Sequence, residues 1–453
     1  MRQKLYQKTV LVVGTGISGI GATKLLLEAE ALPILYDANK ALDIVAVQEK
    51  LKTKQEVPVY AGELPKEIEE QIDLLVISPG VPRDNDFVQS FTKRGITIWG
   101  EVELAYVFDL GNVLAITGTN GKTTTTALTG AIMQRVCQDT FIVGNIGNPY
   151  TSAVLQSNQN SVTVAEISSF QLETIEQFRP KVSAILNITP DHLDRHHSLE
   201  NYIKEKEKIS QNQTEEDTIV LNYEDAVTRA IGTRARAKVV YFSSRTKLKD
   251  GIYLSEDVIY KAVNGEAERL INVHETQLLG IHSFENIMAA IAMTDAYGVP
   301  MEDILSAVKV FKAVEHRIEF VANKSGVDYY NDSKGTNVDA AIKGIQAMVR
   351  PTYLIGGGYD KGATYDEWIE AFDGKVKELI LLGATRDMIA ACAKAHGFQN
   401  IKYVESLEEA VSYCAEKAQD GDAVLLSPAC ASWGMFKNYE ERGRIFKELV
   451  NQL

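Results

Sequence analysis

Between residue 9 and about residue 100, short apolar runs alternate with segments of helical periodicity. The runs are TVLVV (9–13), PILYD (33–37), DLLVIS (73–78) and ITIWG (96–100), and the helical patterns cover 19–30, 40–55 and 84–94. Such alternation predicts a parallel α/β sheet. Further on, strand-like runs recur at 113–116, VTVAEIS (162–168), KVSAILNI (181–188) and DTIVLN (217–222), with helices predicted over 126–136 and across SFENIMAAIAMTDAYGV (283–299). The alternation then restarts with DYYNDS (328–333), a helix from Asn337, and the runs TYLIGGG (352–358), KELILLGA (377–384), IKYVE (401–405) and DAVLLSPA (422–429). No internal repeat, low-complexity tract or proline-rich linker interrupts this order. The pattern divides the chain into three α/β modules, 1–100, 101–313 and 314–453.

A chain of 453 residues is long enough for two or three cores. Its net charge of −14 argues against broad nucleic-acid or anionic-membrane binding, so any anionic substrate must meet local cations and helix N-termini. The four cysteines, Cys137, Cys392, Cys414 and Cys430, show no C-x-x-C spacing. That argues against a zinc site or disulfide framework and suits a reducing cytoplasm. The N-terminal stretch MRQKLYQKTVLVVG reads as a first strand rather than a signal peptide. No run approaches the roughly 18 apolar residues of a membrane span.

The most specific chemistry follows the apolar run ending at Ile116: Thr117-Gly118-Thr119-Asn120-Gly121-Lys122-Thr123-Thr124-Thr125, then a helix. A strand, a glycine-bearing loop and a helix N-terminus present backbone N–H groups to phosphate, with Lys122 as a point charge and a threonine hydroxyl within reach of Mg²⁺. The generic G-x-x-x-x-G-K-[ST] spacing is not met, because its first glycine falls on Ile116. A plain connecting turn leaves Lys122 and the four threonines after it unexplained. The loop therefore reads as an ATP site.

A second glycine turn, Gly14-Thr15-Gly16-Ile17-Ser18-Gly19, follows the first strand, with Asp37 ending the next. Alone it suggests NAD with Asp37 on a ribose hydroxyl, but its geometry suits any nucleotide diphosphate. Ser78-Pro79-Gly80-Val81 follows the DLLVIS run and is placed to close over the same ligand. Glu166, at a strand's C-terminal end, is placed to hold Mg²⁺ or to cap a helix. His192, in the run 187–197 that holds three of the seven histidines, suits a metal or a phosphate. His196 and His197 read as structural or exposed. The mixed-charge stretch 202–208 reads as a solvated helix face. In the last module, Asn331–Asn337, Tyr359–Gly362 and Ser427–Trp433 each follow a strand. Carrying Lys334, Lys361 and Ser432, they suggest a site for an anionic substrate. Two other classes stay open: a nicotinamide oxidoreductase using Gly14–Gly19, and a non-enzymatic ATP switch.

In order along the chain, these motifs resemble the Mur ligase family of ATP-dependent amide-forming enzymes. G-T-N-G-K-T (118–123), Glu166, N-x-T-x-D-H-x-D (187–194), Lys206, H-x-x-x-N (282–286), His316-Arg317 and D-S-K-x-T-N (332–337) carry the resemblance. I-S-S-F-Q-L-E (167–173) and S-P-A-C-A-S-x-x-x-F-K-N-Y-E-x-R-G (427–443) are similar to the D-glutamate-adding branch, and the D-N-P-R-like motif of the diamino-acid branch is absent. The resemblance implies a Rossmann-like N-terminal domain, a central P-loop ATPase-like domain on a parallel sheet, and a Rossmann-like C-terminal domain. It implies a cytoplasmic monomer that uses ATP and two Mg²⁺ to activate UDP-N-acetylmuramoyl-L-alanine as an acyl phosphate for attack by D-glutamate. UDP-sugar contacts fall on Ile17, Ser18, Asp37, Gly80 and Asn145. ATP contacts fall on Gly118, Thr119, Asn120, Gly121, Lys122, Thr123, Thr124, Asn286, Arg317 and Asp332. D-glutamate contacts fall on Lys334, Thr336, Lys361, Ser432 and Tyr439. Metal ligands fall on Thr123, Glu166, His192 and Lys206, the last as a carbamate, with Lys122, His192, Lys206 and Lys334 catalytic.

Overall fold

The computed structural model describes residues 5–53 and 55–453, whose strands assemble into three sheets. The first consists of β1 (Thr9–Val13), β2 (Leu32–Asp37), β3 (Val59–Ala61), β4 (Leu74–Ile77) and β5 (Thr97–Gly100). Their order is β3-β2-β1-β4-β5, with every pairing parallel. Alternate residues enter two apolar layers: Val10, Val12, Leu35 and Val76 join one core cluster, and Leu11, Val13, Tyr36 and Ile77 another. Burial on both faces explains why these strands read as unbroken apolar runs. The order reverses between β1 and β4, so a crevice lies beyond their carboxyl ends, at Gly14–Gly16 and Ser78–Gly80. Of the N-terminal stretch, Met1–Lys4 lie outside the described residues, and its apolar run is β1.

The second sheet consists of β6 (Asn112–Thr117), β7 (Thr140–Gly144), β8 (Val162–Glu166), β9 (Val182–Ile185), β10 (Thr218–Asn222), β11 (Lys238–Ser243), β12 (Gly251–Ser255), β13 (Val258–Val263) and β14 (Glu266–Asn272). Their order is β14-β13-β12-β11-β10-β9-β6-β8-β7, the expected parallel sheet with an antiparallel extension at one edge. Pairings from β7 to β12 are parallel, and β12, β13 and β14 form an antiparallel meander. The reason is local. Two residues separate β13 from β14, Asn264 and Gly265, and both have positive φ (53° and 85°), the geometry of a tight hairpin. A two-residue link cannot make a parallel crossover.

The third sheet consists of β15 (Glu319–Lys324), β16 (Val327–Asn331), β17 (Thr352–Gly356), β18 (Val376–Leu381), β19 (Ile401–Tyr403) and β20 (Ala423–Leu426), ordered β15-β16-β20-β17-β18-β19. Only β15 is antiparallel. Because β16, β20 and β17 are neighbours, the loops leaving them emerge side by side at one edge. The chain falls into two compact units: residues up to Glu275 with Glu285–Lys309, which hold the first two sheets, and Thr276–Phe284 with Val310–Leu453, which hold the third. Among the described residues, no helix is long and apolar enough to cross a membrane.

Candidate active site

In the first unit, β6 runs into the phosphate loop, and the helix Lys122–Val136 starts directly from it with Gly121 as N-cap. Gly121 has φ +85°, and a Cβ there would lie 2.2 Å from Asn286 Oδ1. Only glycine fits both the conformation and the space. Asn187, ending the strand run of β9, fixes the loop from beside it. Its Oδ1 accepts from the Asn120 N–H at 2.8 Å, and its Nδ2 donates to the Asn120 carbonyl at 3.1 Å. Thr119 Oγ1 lies 3.2 Å from the Tyr202 hydroxyl, and Thr125 Oγ1 donates to Asn286 Oδ1 at 3.3 Å. Thr123 is buried and Thr124 half-buried at the start of the helix.

Two lysines converge on this loop. Lys122 Nζ donates to the carbonyls of Gly118 (2.9 Å) and Thr119 (2.8 Å). Lys206 Nζ donates to the same Gly118 carbonyl at 2.8 Å and sits 4.6 Å from the centre of the Tyr202 ring. Lys206 is 1% exposed. The solvated-face reading of its helix is therefore wrong at this position: the helix Leu199–Glu207 buries Tyr202 and Lys206, one turn apart, against the loop. Burial, and after it the Lys122 ammonium, push the Lys206 amine well below an ordinary lysine, against the pull of Asp191 and Glu166. A buried amine held toward its neutral form is a nucleophile.

Glu166 ends β8 and is buried. Its Oε1 accepts from Asn145 Nδ2 at 2.7 Å, while Oε2, equally buried, has no hydrogen-bond partner among the described residues. A buried carboxylate oxygen left open is rare in a folded protein and suits a cation. Asn145, assigned by resemblance to the sugar, is thus tied to the candidate metal carboxylate. His192 has φ +52° and caps the helix Leu193–His196. Its ring lies 4.9 Å from that of Phe170 and its Nε2 3.6 Å from the Asp191 carboxylate. It makes no hydrogen bond to Glu166 or Lys206 among the described residues. His196 is structural: buried, with Nε2 2.9 Å from Ser169 Oγ. His197 is exposed, 3.1 Å from the Asp84 carboxylate.

At the crevice of the first sheet, Gly16 is the N-cap of the helix Ile17–Glu28, and a Cβ there would meet nothing within 4 Å. Asp37 accepts from the Thr15 N–H (3.2 Å) and hydroxyl (2.8 Å), so it shapes the glycine turn itself. Ile17, 77% exposed, Ser18 and the exposed Gly80 border the open crevice.

In the second unit, the loop after β16 carries Asp332, Lys334 and Thr336. Asp332 is buried and accepts from Ser427 Oγ at 2.7 Å. Burial pushes its carboxyl up to about 7, against the opposing Ser427 hydrogen bond and the Arg317 charge. Lys334 Nζ lies 5.3 Å from the centre of the Tyr439 ring, and Lys361 Nζ 5.3 Å from that of Trp433. Ser432 is buried in the loop after β20. A residue not singled out from sequence joins these loops. Arg442, 2% exposed, donates from Nε to Ser333 Oγ (2.9 Å), from Nη2 to the Ser333 carbonyl (2.7 Å) and from Nη1 to the Cys430 carbonyl (3.2 Å). Its sequence signal was the arginine of E-x-R-G, one helical turn after Tyr439.

A glycine loop with a lysine, buried hydroxyls and an open carboxylate, on a largely parallel sheet, defines a nucleotide-dependent α/β enzyme. Comparison with known proteins narrows the class. Residues 8–100 match the "Mur ligase MurD-like, N-terminal domain", 116–294 the "Mur ligase middle domain", and 316–430 the "Mur ligase, glutamate ligase domain". The UDP-N-acetylmuramoylalanine--D-glutamate ligase of Lachnospira eligens is 57% identical, over 99% of this chain and 100% of its own. The enzyme of the same name from Lachnoclostridium phytofermentans is 54% identical, over 98% of each chain. In fold, the UDP-N-acetylmuramate-alanine ligase MurC of Thermotoga maritima is similar, with TM-score 0.62 and 19% identity over 98% of this chain and 99% of that one. So is the MurF ligase of Thermotoga maritima in complex with ADP (TM-score 0.59, 16% identity, 100% and 97% covered). The chain belongs to the Mur ligase family.

Proposed function

We propose that this chain joins D-glutamate to the L-alanine carboxyl of UDP-N-acetylmuramoyl-L-alanine, converting ATP to ADP and phosphate in peptidoglycan precursor synthesis. The observation that carries the reading is the meeting of Lys122 and Lys206 on one phosphate loop, with the open Glu166 carboxylate at the end of the strand beside the one that leads into it. The relatives' shared name supports the choice of substrates.

In this reading the β1–β4 crevice takes the UDP-sugar. The diphosphate lies at the helix start beyond Gly16, with Ile17, Ser18, Asp37 and Gly80 around the nucleotide and Asn145 toward the sugar. Gly118–Thr124 cradle the ATP phosphates, Asn286 supports the loop, and Arg317 and Asp332 serve the nucleotide. Thr123, Glu166, His192 and Lys206 as a carbamate hold Mg²⁺, for which the open oxygen of Glu166 is fitted. Bound Mg²⁺ supplies charge neutralisation for the transferring phosphoryl group. Lys122 then swings from the loop carbonyls to the γ-phosphate, a short reach for a flexible stem.

A carboxylate resists amide formation because its leaving group is poor and its charge repels nucleophiles. Phosphorylation makes it an acyl phosphate, the amine of D-glutamate attacks, and phosphate departs from the tetrahedral intermediate. Lys334, Thr336, Lys361, Ser432 and Tyr439 would hold D-glutamate, two cations for its two carboxylates. Catalysis is mainly positioning and charge neutralisation. Carbamylation joins CO₂ to the neutral Lys206 amine with loss of one proton, turning a repelling cation into an oxygen ligand. Phosphate release measured with UDP-N-acetylmuramoyl-L-alanine and a panel of amino acids tests the reading. Release should require D-glutamate, and turnover with L-glutamate or a diamino acid at the same rate refutes it.

A further inference from the structure

Within the second unit, two helices meet edge to edge. The helix Asp366–Glu370 buries Trp368 and Ile369, and the helix Arg386–Ala395 buries Ile389, Ala390 and Ala393 in the same core cluster. With those faces committed inward, the outer rim pairs Asp366 and Glu370, one turn apart, with Cys392 and His396, also one turn apart.

The side chains converge rather than splay. One ligand atom each from Asp366, Cys392 and His396 lies within 4.8 Å of the others. His396 Nε2 is 3.0 Å from Asp366 Oδ1, and its other ring nitrogen, Nδ1, faces Glu370 Oε1 at 3.8 Å. One sulfur, one imidazole nitrogen and one carboxylate oxygen, with a second carboxylate behind the imidazole, form the donor set of a zinc site. A metal-bound histidine commonly donates its far N–H to a carboxylate, which fixes the ring. Mg²⁺ and Ca²⁺ prefer oxygen shells, so a sulfur–nitrogen–oxygen set selects a borderline transition ion. The cysteine spacing hid this set, because the ligands come in i, i+4 pairs from two helices.

We propose that Asp366, Cys392 and His396 form a Zn²⁺ site on the C-terminal unit, with Glu370 orienting His396 and water completing the tetrahedron. The site clips the two helices together and is independent of the ligase reading.

The test uses the full-length, chelator-stripped protein, titrated with Co²⁺ in excess Mg²⁺ to saturate oxygen-rich sites. One Co²⁺ per chain should bind with a thiolate-to-cobalt charge-transfer band in the near ultraviolet, and Zn²⁺ should abolish it at one equivalent. Cys392→Ser should lose the band. His396→Gln, at an exposed position, should weaken binding at least tenfold with the fold intact by circular dichroism. Glu370→Gln should keep the band while needing about 10–100-fold more metal. A wild-type protein without the band, or a band that survives Cys392→Ser, overturns the assignment.

Discussion

Replacing Lys206 with methionine should make the metal-free protein more stable and the enzyme nearly inactive. The side chain is 1% exposed, and its amine is pushed well below an ordinary lysine by burial and by Lys122. Methionine keeps the stem against Tyr202 and removes the polar head. The Gly118 carbonyl is not orphaned, because Lys122 still donates to it at 2.9 Å. Exchanging buried ionic groups for packed apolar ones is often neutral or stabilising by about 1–4 kcal/mol. Net of the lost Lys206 hydrogen bond, worth about 1 kcal/mol, we expect a gain of about 0–3 kcal/mol. Urea unfolding at neutral pH without Mg²⁺ would read it as a higher midpoint at unchanged m-value. Phosphate release should fall at least about 100-fold, as when a preorganised electrostatic group is deleted. Formate or acetate should partly restore Lys206→Ala, whose cavity admits a small carboxylate. If Lys206 were only a structural strut, stability and activity would fall together. A loss of about 3–5 kcal/mol in Lys206→Met with near-normal specific activity in the folded fraction refutes the reasoning.

Asp332, buried with its carboxyl at about 7 against an unfolded value near 4, gives a pH signature. The folded state binds the extra proton between those values, so this group's contribution is full below about pH 4 and is lost as pH rises through 7. Asp332→Asn should remove a stability decline of about 3 kcal/mol between pH 5 and 8; equal slopes in urea titrations of both proteins across that range would exclude it. Gly16→Val has open space for its side chain and an ordinary φ of −71°. Stability should change by under about 0.5 kcal/mol while calorimetry shows UDP-sugar binding lost and ATP binding kept; NAD binding to the wild-type crevice, with none of the UDP-sugar, would point to a dinucleotide instead. Lys361→Ala should raise the KM for D-glutamate by roughly 10–150-fold, the worth of one charge-assisted contact of about 1.5–3 kcal/mol. The KM for ATP should barely move, and equal rises in both would remove Lys361 from the amino-acid site.

What could be read from sequence divides along a physical line. The parallel strands were legible because burial on both faces leaves continuous apolar blocks. The phosphate loop was legible because its glycines and hydroxyls answer to a backbone requirement carried in consecutive residues. The meander β12–β14 is not legible, although Asn264-Gly265 marks its turn, because β13 and β14 are part-exposed and interrupt their apolar positions with charge. Arg442 is hidden for a related reason: its partners, Ser333 and Cys430, lie in loops from two different strands.

Lys206 shows the limit most sharply. Its neighbours Lys204, Glu205, Glu207 and Lys208 make the helix look solvated, and local pattern assigns the whole stretch to water. What buries one lysine of the three is the loop at Thr117–Gly118, nearly ninety residues earlier. A helix presents a new face every residue, so a single buried cation among exposed ones leaves no periodic trace. The family resemblance selected Lys206, but it gave no physical cause. The structure supplies one: a cation placed against another cation and away from water is unfavourable unless it loses its charge. A fold that buries such a lysine beside Lys122 therefore favours the neutral amine, against the pull of the Glu166 carboxylate, and that is the form that CO₂ or a metal site can use.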